Sequence, residues 1–407
     1  MSQNISLLQS AYRFANKLYA IFSFDSNGNP VGFNTPSGGV FGQPAIPFNL
    51  PKFNYALAQM KAGVRNARIL FIGDSTTAGL FANGLIYNGN RALNFPTTIA
   101  NNIAGRTPAY YGNTIGDTAF NTANFLLYDP RWQFPSSGWS SNFSSIANMG
   151  GGAIGSNTSG AIALFTPTQP FDTVDVYYYQ ISGYGTLALN VDGGPTLGAV
   201  INTAGTASIK KATRTCALGN HTLNLVKSAD TNNVIIVGIS TYKSTATGIE
   251  FLSAGAGGQS SSFFAASTNV WDSSYTTSNL GTLAAIAPDL VVFSPGINDW
   301  GSGVTPATYA TNIQAVITAA QLYADVLLVT ATPTASSSTA IATQLGIVQQ
   351  TRLTAAEDGL PLVDTYNAFA SYSFAQSILG YFTSDLIHPN VTGYNRQAQL
   401  IQQALGL

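Results

Sequence analysis

Two histidines occur in the 407 residues, His221 and His388. Any chemistry that needs an imidazole base must use one of them, and a three-histidine metal site is excluded. His388 closes the string Asp385-Leu386-Ile387-His388-Pro389 near the C-terminus. Three residues apart on one turn, a carboxylate can accept a hydrogen bond from the ring. That bond fixes the tautomer and steadies the imidazolium formed when the ring takes a proton from a hydroxyl. A surface-loop histidine is the bland alternative, but the scarcity of histidine and the helical stretch VTGYNRQAQLIQQ just downstream set this one apart. His221, in Leu218-Gly219-Asn220-His221, reads as a hairpin-turn residue.

A hydroxyl partner is offered by Gly73-Asp74-Ser75-Thr76-Thr77, which follows the apolar run Ala67-Arg68-Ile69-Leu70-Phe71-Ile72. Such a run is expected to be a buried strand. A serine directly after it, at the start of a helix, sits at the carboxyl edge of a sheet, where open α/β sheets bind ligands. Free N–H groups at a helix start suit a developing oxyanion. Two readings stay open at Ser75: a reactive hydroxyl, or a plain helix cap. Ser294-Pro295-Gly296-Ile297-Asn298-Asp299 follows a second apolar run, DLVVF, and Asn298 can present a side-chain N–H as an oxyanion donor or support a turn. Ser253-Ala254-Gly255-Ala256-Gly257-Gly258 follows a third, GIEFL, with glycines whose backbone N–H can come close to a ligand. The single cysteine, Cys216, excludes an intramolecular disulfide and a cysteine-ligated metal, and reads as an inert strand residue.

These blocks must be held by alternating elements. FPTTIANNIAG is expected to be a helix with proline in its first turn and Gly105 as its stop. After GIEFLSA come DLVVFSPG, helical TPATYATNIQAVITAAQLYA, strand DVLLVTATP, helical STAIATQLGIVQQTRLTAAEDG, strand LPLVDTYN and the final helix. Strand and helix in alternation indicate an α/β three-layer fold. Between about 130 and 246 the texture differs. VDVYYYQI, TLALNVDGG, ASIKKATRT, HTLNLVKSA and NVIIVGISTYK are strand-like and separated by turn signals. The expected organisation is an irregular segment over 1–60, an α/β domain over 61–130 and 247–407, and an inserted antiparallel β-sandwich over 131–246.

Composition bounds the partners. Charged residues are only 8% of the chain, against about 25% in an average soluble protein, and the net charge is −1. Without clustered Lys and Arg there is no footprint for nucleic acid. No apolar stretch reaches the roughly 18 to 20 residues that span a bilayer. The N-terminal residues lack a basic start followed by an unbroken apolar run, so no export signal is expected here. With a polar, charge-poor texture, that suggests an extracellular or virion-associated protein, such as part of a phage tail, with homo-oligomeric or virion assembly as a partner class.

Taken together, Gly73-Asp74-Ser75, Gly258, Gly296-Ile297-Asn298-Asp299 and Asp385 to His388 resemble, in order, the four blocks of the SGNH hydrolase superfamily, also called GDSL lipases and esterases. The resemblance covers roughly 67 to 105 and 247 to 407. It departs from the family at the glycine block, where Ser253 stands in place of the commoner asparagine. A rival glycine block exists in Asn148-Met149-Gly150, and Gly258 is preferred because it precedes Asn298 by an ordinary strand–helix–strand interval. No Gly-x-Ser-x-Gly elbow is present, which argues against the α/β-hydrolase fold.

The resemblance implies a three-layer α/β/α, flavodoxin-like domain with a parallel sheet. It makes Ser75 the nucleophile, His388 the base and Asp385 its orienting partner. The N–H groups of Ser75 and Gly258 and the side chain of Asn298 would form the oxyanion hole, and no metal or cofactor is required. Carbohydrate O-deacetylases, lipases and thioesterases all occur in the family. The inserted sandwich with aromatics in YYYQISGYG, and the lack of a long apolar lid, tilt the expectation towards O-acetyl esters on a polysaccharide. Lipid or thioester hydrolysis, and a non-catalytic glycan-binding module, are the alternatives.

Overall fold

The computed structural model describes residues 22–24, 30–33, 50–114, 122–141, 152–266, 282–334 and 338–407. The chain divides into two compact units. One comprises Met1–Asn49 and Gln399–Leu407, and contains the antiparallel pair β1 (Phe22–Phe24) and β2 (Pro30–Phe33). The other, Leu50–Ala398, contains Ser75, Gly258, Asn298, Asp385 and His388. It opens with α1 (Pro51–Lys61), inside the stretch expected to be irregular. Proline stands in its first turn, and Phe53, Ala56 and Met60 bury one face at helical spacing.

The apolar run forms β3 (Ala67–Gly73), buried nearly throughout, and passes into the one-turn helix α2 (Ser75–Ala78). Asn94 caps α3 (Phe95–Ile103) through the Thr97 N–H, and β4 (Ala109–Thr114) and α4 (Thr122–Tyr128) follow. From β5 (Trp132–Gln133) to β14 (Val234–Tyr242) the described residues form strands and no helix. After β15 (Ile249–Gly255) come α5 (Ser261–Ala265), α6 (Thr282–Ile286), β16 (Leu290–Ser294), α7 (Ile297–Gly301) and α8 (Pro306–Gln321). The chain continues through β17 (Asp325–Val329), α9 (Ser338–Glu357), β18 (Leu362–Val363), α10 (Thr365–Ala368) and α11 (Tyr372–Ser377) to α12 (Val391–Leu405). The stretch LPLVDTYN is therefore only briefly extended: Asp364 caps α10 by accepting from the Asn367 N–H, which turns the rest helical.

One large mixed sheet organises the unit, in the order β12-β9-β14-β4-β15-β3-β16-β17-β18, where β9 is Phe171–Gln180 and β12 is Ser208–Gly219. Its β4-to-β18 part is parallel, and β14, β9 and β12 extend it antiparallel. A second, antiparallel sheet runs β11-β10-β13-β8-β5, with β8 at Ile162–Phe165, β10 at Thr186–Val191, β11 at Ile201–Asn202 and β13 at Leu223–Lys227. The fold is thus an α/β SGNH-type domain with an inserted sandwich, and one layer of that sandwich is a continuation of the parallel sheet.

That continuity settles the aromatic run. Val174, Val176 and Tyr178 of β9 pack with Leu187, Leu223 and Leu225 of the second sheet. Tyr177 points the other way, into the core shared with Phe264, Ile313 and Phe293. A strand covered on both faces reads as a continuous apolar run rather than an alternating one. Tyr177 is fully buried and Tyr178 nearly so, which overturns for these two the expectation that YYYQISGYG displays its aromatics for a glycan, whereas Tyr179 and Tyr184 are half-buried. Among the described residues no helix is long and apolar enough to cross a membrane.

Candidate active site

Three adjacent strands of the parallel sheet, β15, β3 and β16, end level with one another, with Gly255 and Ser294 both in register with Gly73. The three blocks singled out in the sequence follow these strand ends: Ser75 after β3, Gly258 after β15 and Asn298 after β16. The chain visits β4 on one side of β3, returns through β15, then crosses to β16 on the other side. This reversal is the switch point at which open α/β sheets place ligands. α2 lies so close over Gly255 that a Cβ there would collide with the Ala78 backbone.

Asp74, not Ser75, caps α2. Its Oδ1 accepts from the Thr76 N–H at 2.9 Å and the Thr76 hydroxyl at 2.8 Å, and its Oδ2 accepts from the Ile297 N–H at 3.3 Å. The capping alternative for Ser75 is thereby removed, and its side chain is free for another partner. Burial pushes the Asp74 carboxyl up against the lowering effect of these bonds.

That partner is His388. Its Nε2 lies 2.8 Å from Ser75 Oγ and its Nδ1 2.5 Å from Asp385 Oδ2. An ionised carboxylate can only accept, so Nδ1 carries the proton and donates to Asp385, and Nε2 is left to accept from the Ser75 hydroxyl. Ser75 and His388 are buried, 4% and 9% exposed, so this pair is shielded from bulk water. The other oxygen of Asp385 accepts from the Thr383 hydroxyl at 2.6 Å and from the N–H groups of Ile387 and His388, both at 3.0 Å. Burial raises the Asp385 carboxyl, but the bonds from His388, Thr383 and the two backbone groups outweigh it and hold the group well below the ordinary carboxylate range. The loop closes on itself by a Thr383 N–H bond to the His388 carbonyl, and Leu386 adopts a left-handed φ of 66°. Start and end of the site are tied together as well: Val391 N–H donates to the Ala82 carbonyl and the Tyr394 hydroxyl to that of Leu80.

Gly258 lies in a four-residue turn closed by the Gln259 N–H on the Ala256 carbonyl, and its φ of +73° is one that glycine adopts without strain. It is solvent-exposed. Asn298 stands in the first turn of α7, and its Nδ2 donates to the Gln259 carbonyl at 2.9 Å, with a second N–H on the same nitrogen. The rival Gly150 lies outside the described residues. His221 sits in the β12–β13 hairpin, its ring 2.6 Å from Asp192 and 2.9 Å from the Ala217 carbonyl. Cys216 lies on β12, its thiol pushed up by burial.

Sequence reasoning missed two side chains at this site. Phe81 stacks on the His388 ring, centroids 4.8 Å apart and planes 23° from parallel, in a left-handed backbone with φ 62°. Its only advance signal was an aromatic six residues after Ser75. Thr383, which steadies the carboxylate, had none.

The fold and the residues gathered at its switch point are similar to those of SGNH-type acylhydrolases. Residues 239–396 match the GDSL-like Lipase/Acylhydrolase family, a stretch that includes Gly258, Asn298, Asp385 and His388 and begins downstream of Ser75. No curated protein matches the chain. Among solved structures, one titled as a peptidoglycan O-acetylesterase in action is 16% identical, over 88% of this chain and 95% of that one, with a TM-score of 0.59. That likeness is one of fold and extends over the insertion. An acetylxylan esterase from Geobacillus stearothermophilus is 18% identical over 39% of this chain and 74% of that one, with a TM-score of 0.31. A lipase/acylhydrolase from Enterococcus faecalis is 21% identical over 38% and 74%, with a TM-score of 0.29.

Proposed function

We propose that the chain hydrolyses O-acetyl esters carried by a polysaccharide, with Ser75 as nucleophile, His388 as general base and acid, and Asp385 as its orienting carboxylate. The observation that carries this reading is the continuous line of hydrogen bonds from Ser75 Oγ through the His388 ring to Asp385. Ser75 Oγ attacks the ester carbonyl carbon while His388 Nε2 takes its proton. The N–H groups of Ser75 and Gly258 and the free N–H of Asn298 receive the oxyanion. Collapse breaks the bond to the alcohol oxygen, which takes the proton back from His388. Water, deprotonated by the same nitrogen, then frees the acid and regenerates Ser75.

Asn298→Ala tests the oxyanion assignment. A single lost donor costs about 10²- to 10³-fold in kcat in such sites. The expected result is a fall of that size with KM little changed, measured by initial rates. A larger rise in KM than fall in kcat would remove Asn298 from the hole.

Support for an acetylated glycan is the fold shared with the peptidoglycan O-acetylesterase. A second reading, a longer acyl chain on a lipid or thioester, is favoured by exposed aliphatic side chains on the loops that hold the pair. These are Leu85 and Ile86 downstream of α2, and Leu386 and Ile387 beside His388. Rates on p-nitrophenyl acetate, butyrate and octanoate, followed by acetate release from O-acetylated peptidoglycan and acetylated xylan, separate the two. Preference for acetyl by tenfold or more, with acetate released from either polymer, supports deacetylation; preference for octanoyl overturns it.

A further inference from the structure

We infer that Asp299 is a positioning residue, holding the glycine turn after β15 in the place from which its backbone can reach the oxyanion. This inference rests on the reading of Ser75 as nucleophile. It starts from a problem that Gly258 poses. A glycine in an open turn has no side chain to pack, and nothing lies near the place where its Cβ would stand. The direction of its N–H must therefore be set by what grips the chain on either side.

Upstream, the grip is on the sheet: Ala256 N–H donates to the Gly73 carbonyl at 2.8 Å, beside Ser75. Downstream, it is on α7. Asn298 donates to the Gln259 carbonyl at 2.9 Å. Its neighbour Asp299 accepts the Ser261 N–H on both carboxylate oxygens, at 3.0 Å each, and the Ser261 hydroxyl at 2.5 Å. Asn312 of α8 completes the ring by donating to the hydroxyls of Ser261 and Ser262, both at 3.0 Å. The start of α7 is itself bonded to the nucleophile turn through Ile297 N–H and Asp74. One short helix is thus the common mount for two edges of the site: the serine turn and the glycine turn.

Capping of α5 alone does not explain this arrangement. A half-buried serine, Ser260, already stands at the cap position and makes no side-chain capping bond. Instead a carboxylate from a distant element, with no exposed surface, meets a serine that has none either. Burying a carboxylate is costly, and here it pushes the Asp299 carboxyl up to about 6. A device that costly and that local is accounted for by what it holds, which is the turn bearing Gly258.

The test compares the full-length wild type with Asp299→Asn and the smaller lesion Ser261→Ala. Hydrogen exchange across 256–261 is expected to quicken about tenfold or more in both variants while the β3–α2 peptide stays as in wild type. With p-nitrophenyl acetate, kcat is expected to fall 10- to 100-fold with KM within twofold, and the affinity for a boronic acid mimic of the tetrahedral intermediate to fall by the same factor. Unchanged exchange across 256–261 overturns the proposal whatever the activity. So does a loss of kcat with boronate affinity intact. Absence of any Ser75-dependent hydrolysis in the wild type would sink the catalytic reading instead, and the exchange experiment would still decide whether Asp299 holds the turn.

Discussion

Ser75→Ala is expected to lower kcat for ester hydrolysis by about 10⁶-fold, His388→Ala by about as much, and the double variant by no more than either alone. The non-additivity follows from the geometry. The hydroxyl is 2.8 Å from His388 Nε2, which takes its proton in the proposed reaction, so neither group is expected to retain a function when the other is gone. The fold should survive both changes. Asp74, rather than Ser75, supplies the cap of α2, and the helix is anchored from outside by the Tyr128 hydroxyl, which donates to the Ala78 carbonyl at 2.6 Å. Ser75→Ala removes one hydrogen bond, a stability cost of about 1 kcal/mol, whereas His388→Ala removes two together with the stacking on Phe81 and should cost more. Initial rates with p-nitrophenyl acetate, alongside thermal melting, check both parts. A Ser75→Ala protein that melts near wild type and keeps more than a hundredth of its kcat would remove Ser75 as nucleophile and bring the binding-module reading forward.

What the sequence made legible is what strand ends dictate. A buried parallel strand is written as an apolar run, and its end as the first glycine or polar residue. Gly73, Gly255 and Ser294 could therefore be located one by one, and their alignment across the sheet follows once the strands are adjacent. The Asp385–His388 pair was legible because its bond is local. Other features depended on distant partners. The insertion was visible as strands, but nothing in β9 or β14 announces that they pair onward to β4 and extend the parallel sheet. The same fact explains why Tyr177 and Tyr178 were misread: their burial on opposite faces was set by the second sheet and by helices more than 80 residues away, not by the run itself. Asp74 and Ser75 are both fit to cap a helix, and only the positions of Thr76 and Ile297 assign the cap to the aspartate. Phe81 reaches His388 through a positive φ that phenylalanine rarely adopts and no pattern predicts.

The same locality makes Asp385→Asn the sharpest test of how the site works. In the wild type the carboxylate accepts from Nδ1, and that single bond decides which nitrogen faces Ser75 with a lone pair. An amide has a donor where a carboxylate has none. Turned so that its N–H faces Nδ1, it favours the other tautomer and presents Nε2–H to a hydroxyl that must lose a proton. Loss of the correct tautomer costs about 10⁴ in kcat where this has been examined for such a triad, and the same fall is expected here with KM nearly unchanged. Stability gives an independent readout of the same carboxylate. Its folded-state pKa lies below the unfolded value of about 3.9, so ionised Asp385 stabilises the native chain above that pH, and the gain is lost as pH falls through the native value. The stability gap between wild type and Asp385→Asn, followed by urea unfolding, should therefore be widest at neutral pH and shrink below about pH 4. A variant that kept a tenth of wild-type kcat while showing this pH-dependent gap would mean that the carboxylate braces the Thr383–His388 loop without orienting the base.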